Sequence, residues 1–374
     1  MFDKIRPVTL AASIALSAGF VLGIPSAYAQ DSGLELADSV AFVQTNLDAN
    51  ISGRAAVTDP NLANAWGIAF APGSPFWVND NHTGVSTLYR GDGTIVPLVV
   101  TVPPPAGSPS GTVSAPTGII WNPTLQFPVP GSTLPAVFIF DTEDGTIAAW
   151  NFGVSVSSAV IAVDNSQSGA VYKGLAFGTN AGGNKIYATN FHDATIEVFD
   201  GHFSRVPADG NFIDQHIPTG FAPFGIQNID GDLWVTYAKQ DAAKHDDVGG
   251  AGNGFVDVFD TDGHLLRRFA ARDALNSPWG LSRAPYGFGQ FSGDILVANF
   301  KDGRINAFDA HGRYQGSLRK PDGGAIAIDG LWAIEFGGGA KSSPESLFFT
   351  AGPDNETNGV FGVINAVPAT REHD

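Results

Sequence analysis

Short runs of alternating apolar and polar residues make up most of the chain after residue 30, and Gly, Pro, Asn or Asp closes most of these runs. Alternation with a period of two is typical of β-strands that bury one face, and the turn-forming residues between the runs indicate tight connections. An apolar stripe with the 3.6-residue period of a helix is not sustained over three turns in this part of the sequence. The pattern predicts an all-β fold.

One strand motif recurs six times along the chain. It reads NAWGIAF in the first copy and APFGIQN in the fourth. The copies align on Gly67, Gly118, Gly174, Gly225, Gly280 and Ala333, which lie 51 to 56 residues apart. Further strand patterns follow each copy, such as IYATN and TIEVFD in the third, and an outer fourth strand fits before the next copy. Four strands in a repeat of about 50 residues is typical of a β-propeller blade.

The repeat predicts a single domain, residues 30–366, that forms a six-bladed β-propeller with four-stranded antiparallel blades. A short polar tail, residues 367–374, follows it. The sixth repeat ends after its third strand near Ile364, whereas an unassigned strand, SVAFVQTNL, begins at Ser39. We expect this N-terminal strand to complete the sixth blade, because an unpaired edge strand is a template for aggregation. A seven-bladed ring or an open sandwich is the alternative.

The fourth repeat carries a long insertion between its second and third strands. Most of the other repeats make this connection with three or four residues, whereas here AKQDAAKHDDVGGAGNG occupies residues 238–254. A loop on a rigid scaffold is a frequent location of function, and the glycines would let this one close as a lid. The candidate catalytic residues are Lys244, His245, Asp246 and Asp247, with His245 as a general base. The alternative is a structural clasp that pairs these residues with each other and with neighbouring blades.

A second candidate site comes from the residue before each aligned small residue, which a propeller places near its axial mouth. The candidate ligand-binding residues are Trp66, Lys173, Phe224, Trp279 and Trp332. Aromatic rings stack on flat or sugar-like ligands, and a lone lysine would bind a carboxylate. These side chains do not supply the six to eight oxygen atoms that calcium prefers. The alternative is that they fill a narrow axial channel.

A candidate metal site follows the second strand in successive repeats. His82, Glu143 and His192 occupy equivalent positions there, and His245 from the long loop is a further imidazole. Imidazole and carboxylate ligands suit zinc, copper or iron. A divalent metal is therefore a candidate cofactor, and the sequence identifies no other.

Residues 1–29 show the three parts of a secretory signal peptide. Lys4 and Arg6 form a basic start, the apolar run LAASIALSAGFVLGI follows, and the small residues AYA precede Gln30. This arrangement predicts cleavage and export. We therefore expect a secreted or periplasmic protein.

The chain carries a formal net charge of −17 and has no cysteine. The negative field repels nucleic-acid phosphates, so nucleic acid is not an expected partner, whereas cations and neutral ligands are favoured. Without cysteine, thiol catalysis and thiolate metal sites are excluded. After residue 30, the sequence has no apolar stretch of membrane-spanning length. We expect a monomer.

The repeats also resemble known families. The strand GI followed by IYATNFHDATIEVFD resembles the NHL-type six-bladed propellers, and VTDPNLANAWGIAF, the long loop and GDILVANFKDGRINAFD resemble an uncharacterised exported bacterial family. The resemblance implies a propeller and export, and no established reaction. We expect a propeller that binds a small molecule or an extracellular polymer on its loop-bearing face. The alternative is a hydrolase or lyase that uses His245 or His192 as its base, with or without a divalent metal.

Overall fold

Six β-sheets make up the computed structural model, which describes residues 40–368. The N-terminal strands are β1 (Val40–Ala49) and β2 (Val57–Thr58). Blade 1 contains β3 (Ala65–Ala69), β4 (Phe76–Asp80), β5 (Val85–Tyr89) and β6 (Ile95–Thr101). Blade 2 contains β7 (Pro116–Trp121), β8 (Phe138–Thr142), β9 (Thr146–Trp150) and β10 (Val160–Asp164). Blade 3 contains β11 (Tyr172–Asn180), β12 (Gly183–Asn190), β13 (Thr195–Asp200) and β14 (Arg205–Val206).

The second half of the chain continues in the same way. Blade 4 contains β15 (Phe221–Ile229), β16 (Asp232–Lys239), β17 (Phe255–Phe259) and β18 (Leu265–Ala271). Blade 5 contains β19 (Pro278–Arg283), β20 (Ile295–Asn299), β21 (Ile305–Phe308) and β22 (Tyr314–Ser317). Blade 6 contains β23 (Leu331–Phe336), β24 (Leu347–Ala351) and β25 (Val360–Pro368). Two short 3₁₀ helices span Ser166–Ser168 and Gly289–Phe291. The predicted six blades of antiparallel strands are confirmed.

The N-terminal strand closes the ring as predicted. β1 pairs antiparallel with β25, from Val40 opposite Pro368 to Ala49 opposite Val360. The short strand β2 then pairs parallel to β1, so blade 6 has five strands where the repeat predicts four. The predicted signal peptide, residues 1–29, and residues 369–374 of the predicted tail lie outside the described part of the chain. In residues 40–368, no helix is long and apolar enough to span a membrane.

Every inner strand carries the same irregularity where the repeat motif has its aligned small residue. In blade 1 the register of β3 against β4 shifts between Ala65 and Ile68, and the other five inner strands shift at the equivalent place. This bulge brings the glycine against the backbone of the next blade. A Cβ on Gly280, for example, would lie 2.6 Å from the Trp332 carbonyl oxygen. The recurring glycine is therefore required by close packing of neighbouring inner strands.

Gly280→Ala is expected to lower the free energy of unfolding by about 1–3 kcal/mol, because the added methyl group overpacks the contact between blades 5 and 6. Gly182→Ala is the matched control, since its Cβ would meet only side-chain atoms, of Asn180 at 3.2 Å and of Lys185 at 3.6 Å and beyond. Urea unfolding of both variants measures the difference. Equal losses in the two variants would contradict the close-packing role of the repeat glycine.

Candidate functional site

An aromatic plug fills the axial end of the propeller at which the inner strands begin. Trp332 is stacked between Trp66, at a centroid distance of 3.6 Å, and Phe300, at 3.8 Å. Trp279 meets Trp66 and Trp332 edge-on at 6.4 and 6.1 Å, and Phe224 lies 5.8 Å from Trp332. These rings bury one another, and Trp66, Trp332 and Phe224 are each 1% exposed.

The predicted ligand-binding aromatic residues lie in this plug. Four of the five predicted residues belong to it, and their rings pack against one another, which is the channel-filling arrangement that the sequence left open as the alternative. Two of the three indole N–H groups are satisfied within the protein: Trp332 Nε1 donates to Asn64 Oδ1 at 2.9 Å, and Trp279 Nε1 donates to the Lys173 carbonyl oxygen at 2.8 Å. The third, Trp66 Nε1, is buried without a hydrogen-bond partner among residues 40–368. The fifth residue, Lys173, has a different environment.

Lys173 places a buried ammonium group at the edge of the plug. Its side chain is 2% exposed, and Nζ lies 5.3 Å from the ring centroid of Trp66 and 5.8 Å from that of Phe191. The ammonium pairs with the Glu143 carboxylate of blade 2, whose other oxygen accepts a hydrogen bond from Asn81 Nδ2 at 2.8 Å. Burial, the largest single effect, lowers the pKa of Lys173, but the carboxylates of Glu143, Asp246 and Glu356 together outweigh burial and raise this pKa above its ordinary value. Lys173 is therefore a fixed positive charge.

The long loop lies on the same face as the plug. Its tip is a tight turn in which the Asp241 amide donates to the Asp246 carbonyl oxygen at 2.8 Å and the His245 amide donates to Asp241 Oδ1 at 2.9 Å. The loop is anchored to blade 5 by an ion pair between Asp247 and Lys301 at 3.3 Å. It reaches blade 3 through Asp246 Oδ1, which lies 3.5 Å from Lys173 Nζ. These contacts are the ones that a structural clasp predicts, and they also hold His245 above the axial mouth.

His245 and Asp246 form an exposed pair over the buried lysine. His245 Nδ1 lies 2.9 Å from Asp246 Oδ1, and the side chains are 46% and 69% exposed. This hydrogen bond raises the pKa of His245 and lowers the pKa of Asp246 to about 2. The imidazole therefore gains positive charge near neutral pH and can exchange a proton with a bound molecule.

Three potential metal ligands come together here. One ligand atom each of Glu143, His245 and Asp246 lies within 4.8 Å of the other two, and this is the only such group of three in residues 40–368. Glu143 was predicted as a metal ligand and His245 as its additional imidazole. His82 and His192 are not brought into this group, and His192 Nδ1 instead lies 3.1 Å from Asp193 Oδ1. Lys244, a predicted catalytic residue, is exposed at the tip of the loop.

Sequence reasoning missed three residues that shape this site. Asn81 orients Glu143, while Phe191 and Phe300 complete the aromatic surroundings. Each directly follows the last residue of a second strand, namely Asp80, Asn190 or Asn299. This position lies one residue before the candidate metal ligands. A comparison of this position across the six repeats would have found the three residues.

Two viral proteins are related to this chain in sequence. No protein-family model matches the chain. The uncharacterised protein R648 of Acanthamoeba polyphaga mimivirus is 34% identical, covering 85% of this chain and 78% of that protein. The uncharacterised protein L690 of the same virus is 32% identical, covering 83% and 82%. The predicted likeness to an exported bacterial family stays a prediction.

Solved structures are similar at the level of architecture. A protein of unknown function from Bacteroides thetaiotaomicron has a TM-score of 0.51 and 12% identity, covering 88% of this chain and 76% of that one. A gluconolactonase from Xanthomonas campestris has a TM-score of 0.49 and 13% identity, covering 82% and 87%. The likeness to the Bacteroides thetaiotaomicron protein shows the propeller fold alone.

Proposed function

Because the chain belongs to the family of the mimivirus proteins R648 and L690, whose names assign no activity, we propose a function from its own site. The propeller binds the carboxylate group of a ligand on its loop-bearing face, and this ligand is either a small molecule or an extracellular polymer. One observation carries this proposal: the buried ammonium of Lys173 has one buried carboxylate partner, Glu143, and one exposed partner, Asp246.

Asp246 holds the position that the carboxylate of a ligand would take. Its oxygen lies 3.5 Å from Lys173 Nζ, whereas a direct charge-assisted hydrogen bond measures about 2.7–2.9 Å. Asp246 is also 69% exposed, so water screens the attraction and little free energy is lost when it moves. A ligand carboxylate can therefore replace it at low cost.

The surroundings of Lys173 favour this exchange. His245 gains positive charge from its raised pKa and offers a second cationic partner to an incoming carboxylate. The tip of the loop, residues 242–246, is exposed, so it can move while glycines that follow Asp247 stay packed against blade 5. Asp247 and Lys301 keep the base of the loop in place meanwhile.

Export from the cytoplasm is part of the same proposal. It rests on the basic, apolar and small-residue segments of residues 1–29. Export is tested by measuring the mass of the protein recovered from cell fractions and from the medium. Cleavage before Gln30 is expected, so the exported protein should lack the mass of residues 1–29. Uncleaved protein confined to the cytoplasm would contradict export. A monomeric state is likewise proposed.

Asp246→Asn is expected to bind lactate about twofold to fivefold more tightly than the natural protein does, since an exposed ion pair contributes at most about 1 kcal/mol. The natural loop competes for Lys173 and lowers the fraction of binding-competent protein, and the amide removes that competitor. Calorimetric titration with lactate, and with neutral lactamide as the matched probe, measures the effect. Lactamide is expected not to bind either protein.

Two further variants test the assignment. His245→Gln should weaken lactate binding, whereas Lys244→Ala, at the exposed tip, should leave it unchanged. If Asp246→Asn bound lactate no better than the natural protein, or if lactamide bound equally well, carboxylate recognition by Lys173 would be refuted.

A hydrolase or lyase is the second candidate function. The hydrogen bond between His245 Nδ1 and Asp246 favours this function, because it holds the imidazole in one orientation, as a general base requires. A divalent metal held by Glu143, His245 and Asp246 would supply a Lewis acid at the same place. Elemental analysis of the purified protein separates the two functions, since stoichiometric zinc, copper or iron that is lost in Glu143→Gln would favour the enzyme.

A further inference from the structure

A second cavity opens at the other end of the propeller axis. It has a volume of about 320 Å³, within the range of small-molecule sites. Its lining comes from the ends of the inner strands, such as Ala69 in β3, Trp121 in β7, Asn228 in β15 and Glu335 in β23. The aromatic plug lies where these strands begin, so the cavity and the candidate site are on opposite faces.

A narrow extension joins this cavity to the underside of the plug. It has a volume of about 30 Å³, and its lining includes Gly67, Gly118 and Trp279. Trp279 belongs to the plug, so the extension ends there. The plug therefore closes the axial channel at the bottom of the cavity.

Glu335 lies in the wall of the cavity as its single charged group. The residues that line the cavity and its extension, all within the described chain, include no other ionisable side chain. Gln227 Nε2 donates a hydrogen bond to Glu335 Oε2 at 3.2 Å. Burial raises the pKa of Glu335 to about 7, with no positively charged neighbour to oppose it. Ionised Glu335 consequently lacks a counter-charge.

Apart from Glu335 and the amides Gln227 and Asn228, the side chains of the wall are apolar. Phe70, Trp121 and Phe177 come from blades 1, 2 and 3, and each remains partly exposed at the rim. Ile68 and Ile119 lie deeper, lining both the cavity and its extension. These surfaces suit the hydrocarbon part of a ligand, and aromatic faces also attract organic cations.

We propose that this cavity binds a primary alkyl- or arylalkylammonium ligand. The ammonium has three N–H donors, which match the two oxygens of Glu335 and the amide oxygen of Gln227. The apolar body then packs on the rim aromatics. A neutral ligand would leave the carboxylate uncompensated and an anion would be repelled, while the net charge of −17 attracts cations to the protein.

The titration of Glu335 sets the pH dependence of binding. Below pH 7 the carboxyl group is mostly protonated and cannot pair with an ammonium, whereas above pH 7 it is ionised. An alkylammonium, like a lysine side chain, stays protonated across this range. The association constant should therefore rise about tenfold from pH 6 to pH 8 and then level off.

Calorimetric titration of the full-length protein with 2-phenylethylammonium at pH 6, 7 and 8 tests the proposal. Glu335→Gln should weaken binding at pH 8 at least tenfold and remove the pH dependence, since the substituted side chain is neutral and isosteric. Trp121→Leu should weaken binding several-fold while keeping the pH dependence. Asp246→Asn, on the opposite face, should bind the probe unchanged, so this result is independent of the carboxylate site.

Neutral and anionic probes of the same shape identify what the cavity selects. 2-Phenylethanol and phenylacetate should both bind at least tenfold more weakly than 2-phenylethylammonium at pH 8. Equal affinity for the alcohol would show that apolar contact alone is responsible and would overturn the assignment. Binding of phenylacetate as tight as that of 2-phenylethylammonium at pH 8 would also overturn it, because ionised Glu335 repels a carboxylate.

Discussion

Replacing Lys173 with Met is expected to lower the free energy of unfolding by about 3–5 kcal/mol. Met has a similar shape, so the loss comes from charge and not from packing volume. The Glu143 side chain is 12% exposed and pairs with the lysine ammonium. Without the ammonium, the largely buried Glu143 carboxylate keeps only its hydrogen bond from Asn81. Leaving one member of a buried ion pair alone costs far more than the intact pair contributes.

Chemical denaturation of Lys173→Met, of Glu143→Gln and of the double variant isolates this effect. The double variant should recover most of the lost stability, because no unpaired charge remains. Lys341→Met is the matched surface control: its ion pair with Asp92 has side chains 57% and 42% exposed, and its loss should cost less than about 1 kcal/mol. A Lys173→Met loss as small as that of Lys341→Met would mean that water reaches Glu143 and that the lysine is not a fixed charge.

The repeat motif made the fold predictable in some detail. The aligned residues Gly67 to Ala333 recur because a bulge in each inner strand meets the next blade, and this local requirement is visible in sequence. The role of β1 was also predictable, since the sixth repeat lacked an outer strand. The parallel strand β2 was not predicted. It has only two residues, Val57 and Thr58, and its position depends on β1 rather than on its own pattern.

The candidate site was predictable by position but not by contact. The sequence identified Lys173, Glu143 and His245 as residues near one face, and the structure places them together. It could not tell whether the tryptophans stack on a ligand or on each other, because both uses require the same ring at the same position. Trp332 contacts Phe300, which directly follows the second strand of the neighbouring blade, and such pairing leaves no mark in the repeat.

Equivalent positions in a repeat also diverge at the tips of loops. Glu143, His192 and Lys301 all stand two residues beyond the aligned position of the second strand. Glu143 turns toward Lys173 and Lys301 toward Asp247, because each finds an opposite charge there. His192 has its own neighbour, Asp193, at 3.1 Å. Local charge pairing, and not the repeat, therefore decided which of these side chains reach the site.

Phe42→Ala is expected to lower the free energy of unfolding by about 3–5 kcal/mol, through loss of the contacts that hold the closing strand in the ring. Phe42 is fully buried in β1, with ring centroids 5.0 Å from Phe288 and 5.8 Å from Phe291 of blade 5. Its amide also donates to the Arg319 carbonyl oxygen at 2.8 Å. Denaturant unfolding measures the loss.

Val43→Ala is the matched control for Phe42→Ala. Val43 is the next residue of β1, points to the opposite side of the strand and is 39% exposed, so its truncation should cost less than about 0.5 kcal/mol. If Phe42→Ala instead left the main unfolding transition unchanged and only allowed early release of residues 40–49, the closing strand would be an accessory to a ring that is stable without it. A single cooperative transition at lower denaturant, with faster aggregation from the exposed edge of β25, would show that closure by β1 holds the six blades together.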